Sequence, residues 1–130
     1  MTNDSEFKIA RKYAFRLLSL RNYHSAVLLR KLKGKGFAPG VCGKVIEDCI
    51  RLDFLKDDSA ILSVFRRGYG PRYIAFKLQI DLQEVRCVIT KEMQKEKMQE
   101  LTPKLKTREK AMQTFQRKGF DLELIIEIFS

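Results

Sequence analysis

A chain of 130 residues with 45% hydrophobic content is long enough to bury a core, as one domain or as a short array of smaller units, which excludes wholesale disorder. Lysine and arginine number 26 against 16 aspartate and glutamate, and the resulting +10 favours polyanionic partners such as nucleic acid, an acidic protein surface or anionic lipid. No apolar run approaches the roughly 18 residues that cross a bilayer. The opening "MTNDSEF" is unlike a secretory leader, and three cysteines without a C-x-x-C pair favour neither a disulfide framework nor a zinc site. Cys42, Cys49 and Cys87 are therefore expected as small core residues of a protein in the reducing cytoplasm, with no membrane contact.

Apolar spacing is helical almost throughout. Ala10, Tyr13, Ala14, Leu17 and Leu18 make the inward stripe of a first helix. A second begins near His24, carries Leu28, Leu29 and Leu32, and ends at "KGKGF". A third begins at Pro39 with Val41, Cys42, Val45, Ile46, Cys49 and Leu52 inward. Asp57 or Asp58 is expected to accept backbone N–H groups at the start of a fourth helix, which turns Ile61, Leu62 and Phe65 inward. In "RRGYGPRYIAFKL", residues 66–78, Gly68 suits a helix C-terminus, Gly70 the next N-cap and Pro71 the first position of a fifth helix carrying Ile74 and Leu78.

A sixth stripe, Leu82, Val85, Ile89 and Met93, is expected on one helix. The polar stretch 94–110 leaves open a continuous helix or a hinge, although Thr102-Pro103 marks a stop and Thr107 a restart with Ala111, Met112 and Phe115 inward. Gly119 and Asp121 then bracket the turn into a last helix with Leu122, Ile125, Ile126 and Phe129. Phe37, Phe54, Phe65, Phe76, Phe115, Phe120 and Phe129 are assigned to cores. No β-alternation occurs, so the expected fold class is all-α.

The triplet Lys-Gly-Phe stands at residues 35–37 and again at 118–120, each time followed by an apolar stripe. Half of that interval is about 40 residues, the size of a three-helix unit too small to be robust alone. The expected architecture is a tandem array of three three-helix repeats, curved and elongated, over residues 1–56, 57–93 and 94–130. Charge is uneven across the chain: residues 1–56 carry a net +7, 57–100 a net +1 and 101–130 a net +2.

The stretches "LLSLRNYHSAVLLRKLKGKGF", "VIEDCIRLDFLKDD" and "RRGYGPRYIAFKL" occur in an order and spacing that resemble the RecX family of regulators of the bacterial RecA recombinase. The resemblance spans about residues 10–90 and returns at "FQRKGFDLELI". It implies tandem three-helix repeats lodged along the groove of a RecA–DNA filament, with inhibition of ATP hydrolysis, strand exchange or filament growth, in DNA repair, recombination and the SOS response. Three positions depart from the family pattern. His24 and Val27 replace a capping Ser and the Glu three residues on, leaving Ser25 to cap. Ala60-Ile61 replaces a Phe-Ala pair, and the second repeat lacks the Lys-Gly turn after Leu78.

The candidate filament- or DNA-binding residues fall into two groups. Arg66, Arg67, Tyr69, Arg72 and Lys77 surround the Gly-Tyr-Gly-Pro break, where glycines permit close approach of a surface and arginine forks suit phosphate or carboxylate. A bland alternative stands beside this: a helix joint with solvated arginines and a bracing tyrosine. Arg30, Lys31, Lys33 and Lys35, with Arg11, Lys12 and Arg16 from the first helix, form a second, stripe-like group able to bind phosphates without reading sequence. His24 is the one histidine, and no P-loop, dinucleotide fingerprint, metal-binding pair or nucleophile elbow occurs, so neither enzyme activity nor a cofactor is expected. The expected partners are the RecA filament and single- and double-stranded DNA, bound by a monomer. A sequence-nonspecific DNA-binding protein that acts without RecA, through helix-turn-helix-like units, is the alternative, and a basic RNA- or ribosome-associated module a third.

Overall fold

The computed structural model describes residues 2–130, with side chains from Asp4 onward, and every regular element among them is helical. Among the described residues nine α-helices follow one another: α1 (Thr2–Leu20), α2 (Ser25–Gly34), α3 (Pro39–Arg51), α4 (Asp57–Arg66), α5 (Pro71–Leu78), α6 (Leu82–Val88), α7 (Lys91–Leu101), α8 (Arg108–Arg117) and α9 (Leu122–Phe129). No helix among the described residues is long and apolar enough to cross a membrane. The chain divides into two units, the first running to Ala60 and the second spanning Ile61–Ser130.

In the first unit, Ala10 and Ala14 of α1 are fully buried one turn apart, and such small side chains let another helix approach closely. Tyr23 just before α2, Leu28 and Leu32 of α2, Val41, Cys42, Val45 and Cys49 of α3, and Leu55 complete the core. Gly36 closes α2 in the left-handed conformation (φ 101°), with Phe37 N–H donating to Leu32 O at 3.3 Å.

His24, rather than Ser25, caps α2. The ring is buried, and its Nδ1 accepts the Ala26 N–H at 3.0 Å. Ser25 instead donates both its N–H (2.7 Å) and its hydroxyl (2.8 Å) to Asp57. Asp57 thus holds the start of α2 from across the unit, not the start of its own helix as the local pattern suggests. A carboxylate in the first turn of one helix takes up donors left over by another.

The second unit is built around Ile61, Val64, Phe65, Ile74, Val85, Ile89, Met98, Ala111, Phe115, Phe120, Leu124 and Ile125. The stripe from Leu82 to Met93 does not lie on one helix. Ile89 is extended, and Thr90 opens α7 by accepting the Met93 N–H at 3.1 Å. A hydroxyl placed three residues before Met93 offers that donor a local partner, which breaks the helix where apolar spacing alone would continue it. Between α7 and α8 the chain forms a 3-10 turn at Thr102–Lys104, so 94–110 is neither one helix nor wholly irregular.

The same helix-closing turn recurs in α5 and α8. Gly119 (φ 90°) closes α8, with Phe120 N–H to Phe115 O at 3.1 Å; Gln79 (φ 54°) closes α5, with Ile80 N–H to Ala75 O at 3.0 Å. The geometry that follows Lys-Gly elsewhere is therefore present after Leu78, carried by a glutamine. Five core assignments need correction. The last helix turns Leu124 and Ile125 inward, which leaves Leu122 and Ile126 44% and 50% exposed. Phe76 is 80% exposed and Phe54 55% exposed, the latter lying edge-on to Phe15 at 5.3 Å. Cys87, on α6, is exposed, whereas Cys42 and Cys49 are buried; α6 turns only Val85 fully inward, so a thiol two residues on lies outside.

Candidate polyanion-binding surfaces

Cations of the first unit gather around two tyrosines. The Arg16 guanidinium lies 5.5 Å and the Lys35 ammonium 5.3 Å from the ring centre of Tyr13, joining α1 to the end of α2. Arg21 lies 4.9 Å and Lys31 6.0 Å from that of Tyr23. Arg21 was absent from the sequence-derived group; its place beside Tyr23 in the α1–α2 connection is the signal that would have found it. Among the described residues, none of these four forms an ion pair.

Arg11 does not share that arrangement. Its Nε sits 2.8 Å from Asp48 but off the hydrogen-bond direction, so the contact is an ion pair, and its guanidinium covers Phe15 at 4.9 Å. Asp48 also pairs with Arg51. Lys12, Arg30 and Lys33 are exposed. Burial pushes the Cys42 thiol up, and the positive charge of Lys33 works against it.

In the second unit the Gly-Tyr-Gly-Pro break is filled by the protein itself. Gly70 N–H donates to Lys118 O at 2.8 Å, and Arg72 N–H donates to Gly119 O at 3.0 Å. A methyl group on Gly70 would stand 2.5 Å from Phe120 N and 2.6 Å from Gly119 C. The surface that the glycine admits is thus the second Lys-Gly-Phe turn of the same chain, not an external one. Gly68 (φ 101°) ends α4 in the left-handed conformation, and Pro71 opens α5 with Gly70 as N-cap.

Tyr69 is stacked on Tyr73 at 4.0 Å, with Lys118 at 4.9 Å and Arg67 at 6.0 Å from its ring centre. It braces the turn while presenting two cations. Lys118 is a second member that sequence spacing did not reveal, because it lies far along the chain. Arg66, Arg72 and Lys77 are exposed. Arg72 also borders a cavity of about 620 Å³, together with Arg86, Lys91, Gln94, Asp121 and Glu123.

Inside that cavity's wall, Asp121 is buried and takes Gln94 Nε2 at 3.0 Å and Arg86 at 3.0 Å, while its own N–H donates to Gln94 Oε1 at 3.1 Å. Lys91 pairs with Glu123 at 3.3 Å. Of the cations at the cavity, only Arg72 lacks a carboxylate partner among the described residues. Within neither unit do three metal-ligating side chains converge among the described residues.

These surfaces hold positive charge beside aromatic rings, so they suit phosphate and other anionic groups. The chain matches no protein-family model and no curated protein. Solved structures do resemble it. The crystal structure of RecX from Lactobacillus salivarius aligns with a TM-score of 0.69 over 96% of this chain and 95% of that one, at 22% identity. The chain has the RecX fold. A further crystal structure, of the regulatory protein RecX, aligns with a TM-score of 0.63 over 98% of this chain and 73% of that one, at 19% identity.

Proposed function

We propose that the protein is a RecX-like regulator that binds the RecA–DNA filament in the cytoplasm and restrains its recombinase activity. The observation that carries this reading is the RecX fold over nearly the whole chain, at the length of a solved RecX. The motif order described above supports it independently. The two aromatic–cation surfaces, one in each unit, give the reading a physical basis: each offers several weak contacts to a repeating polyanionic polymer.

On this reading, three three-helix repeats, α1–α3, α4–α6 and α7–α9, act as successive contact modules of one monomer; the boundary expected at 93/94 falls inside α7 and moves back to the α6–α7 junction. Arg16, Lys31 and Lys35, with Lys12, Arg30 and Lys33 beside them, serve the first surface. Arg66, Arg67, Arg72 and Lys77 serve the second, and Tyr69 holds Arg67 in place. Arg11 contributes least, since Asp48 already neutralises it.

The test is RecA ATP hydrolysis and strand exchange on single-stranded DNA, with this protein added at amounts too low to coat the DNA. Loss of activity there supports a filament target. Inhibition that appears only once the DNA is saturated would show simple competition for DNA and sink the filament reading. Neutralising Arg66, Arg67 and Arg72 together is expected to weaken inhibition while the helical circular dichroism stays unchanged.

A further inference from the structure

Phe76 is the most exposed large hydrophobic residue described, at 80%. It stands on α5, whose inward side is taken by Pro71 and Ile74. Arg72, four residues earlier, shares its outward face, and Lys77 follows it directly. Neither cation forms an ion pair among the described residues. Tyr73, also on α5, stacks on Tyr69 at 4.0 Å, and Lys118 lies 4.9 Å from the Tyr69 ring. Aromatic rings thus alternate with cations along one element and the turn that precedes it.

A protein surface that needed only charge would have no use for an uncovered phenyl ring between two cations. A duplex has no use for it either, since its bases are stacked on one another and their faces are closed. Unpaired bases do expose a π-face, and every base has one, so an exposed ring flanked by cations recognises a single strand without reading its sequence. We propose that the Phe76 face of α5 binds single-stranded nucleic acid directly, with Phe76 stacking on a base and Arg72 and Lys77 contacting the adjoining phosphates. The site does not depend on the filament reading and is tested without any recombinase.

The chain contains no tryptophan, so Phe76→Trp places a single indole reporter at the site. Its fluorescence is expected to be quenched by oligo(dT) and to stay unchanged with an abasic oligomer of equal length and charge. Phe76→Ala, at so exposed a position, leaves the fold intact and is expected to weaken oligo(dT) binding about 5- to 100-fold while duplex binding holds. Equal quenching by the abasic oligomer, or unchanged oligo(dT) affinity in Phe76→Ala, would overturn the proposal. If Phe76→Ala keeps its oligo(dT) affinity but no longer inhibits RecA, the ring is a protein anchor; the stacking assignment then fails while the filament reading stands.

Discussion

Replacing Gly70 with alanine tests the central feature of the second unit, the docking of one helix-connecting turn on another. The residue has an ordinary backbone conformation (φ −92°), so the substitution carries no conformational penalty of its own. The cost is steric. The new methyl would stand 2.5 Å from Phe120 N and 2.6 Å from both Gly119 C and Phe120 Cα, all of them backbone atoms that cannot swing aside. One of two things must follow. If the turns stay together, overpacking costs about 1–3 kcal/mol. If they part, Gly70 N–H loses Lys118 O and Arg72 N–H loses Gly119 O, and a buried donor left without a partner costs about 1–3 kcal/mol. Separation also opens the Phe120 region of the core, so the expected loss is roughly 2–5 kcal/mol, a large share of a stability of about 5–15 kcal/mol.

Urea unfolding followed by circular dichroism measures that loss, with Gly43→Ala as control. Gly43 lies inside α3 with nothing within 4 Å of an added methyl, and the change should stabilise the chain by up to about 1 kcal/mol. Gly119→Ala would push its methyl into the Tyr73 backbone and strain a φ of 90° as well. The double variant should lose less than the sum of the two singles, because both relieve the same contact. A Gly70→Ala protein within about 0.5 kcal/mol of the parent would refute the docking argument.

Four further outcomes are expected. Burial raises the Cys42 and Cys49 thiols, which keeps them protonated at neutral pH, so a thiol reagent should label Cys87 quickly and the other two only on unfolding; rapid labelling of more than one thiol in the native protein would contradict this. Asp57→Ala removes the acceptor of both Ser25 donors and should cost about 1–2 kcal/mol in urea unfolding, whereas Asp58→Ala should cost almost nothing. Gln79→Gly relieves a left-handed side-chain residue at the end of α5 and should raise stability by up to about 1 kcal/mol; a loss would mean that the glutamine side chain matters more than its backbone. Tyr13→Leu removes the ring beneath Arg16 and Lys35 without changing net charge, and should weaken oligonucleotide binding several-fold while the slope of log affinity against log salt stays constant.

Much of the fold was legible because punctuation and periodicity agreed. Pro39 and Pro71 open helices, Gly36, Gly68 and Gly119 end them, and the stripes beside them are mostly the cores, although Leu122 and Ile126 of the last one lie outside. What escaped was non-local. Asp57 reads as the cap of its own helix, since nothing along the chain shows that Ser25, 32 residues away, lies within 2.7 Å. Asp121 reads the same way, yet its carboxylate turns inward to Gln94 and Arg86. Phe76 reads as core because aromatic residues are usually inside; only the placement of Ile74 and Pro71 shows which face of α5 is left outside. The glycines of the Arg-flanked turn raised the right question, what comes so close, but the answer was a segment some 50 residues away.

The candidate surfaces were legible as charge and not as geometry, and the difference has a physical consequence. A cation paired with a carboxylate is held in place at the expense of its field. Arg11 and Arg51 share Asp48, Arg86 meets Asp121, and Lys95 meets Glu127; these contribute to the fold and little to a distant polyanion. A cation resting on a tyrosine is also held in place, by about 0.5–1 kcal/mol at an exposed site, but its charge is not cancelled. Arg16 and Lys35 on Tyr13, Arg21 and Lys31 on Tyr23, and Arg67 and Lys118 on Tyr69 are all of this second kind. Immobilising a long side chain on binding ordinarily costs about 0.5–1.5 kcal/mol. Where a ring has already restricted that chain, part of the cost falls on folding instead, and the full positive potential remains available to the partner. Tyrosine content therefore matters to this protein's electrostatics as much as its surplus of lysine and arginine does.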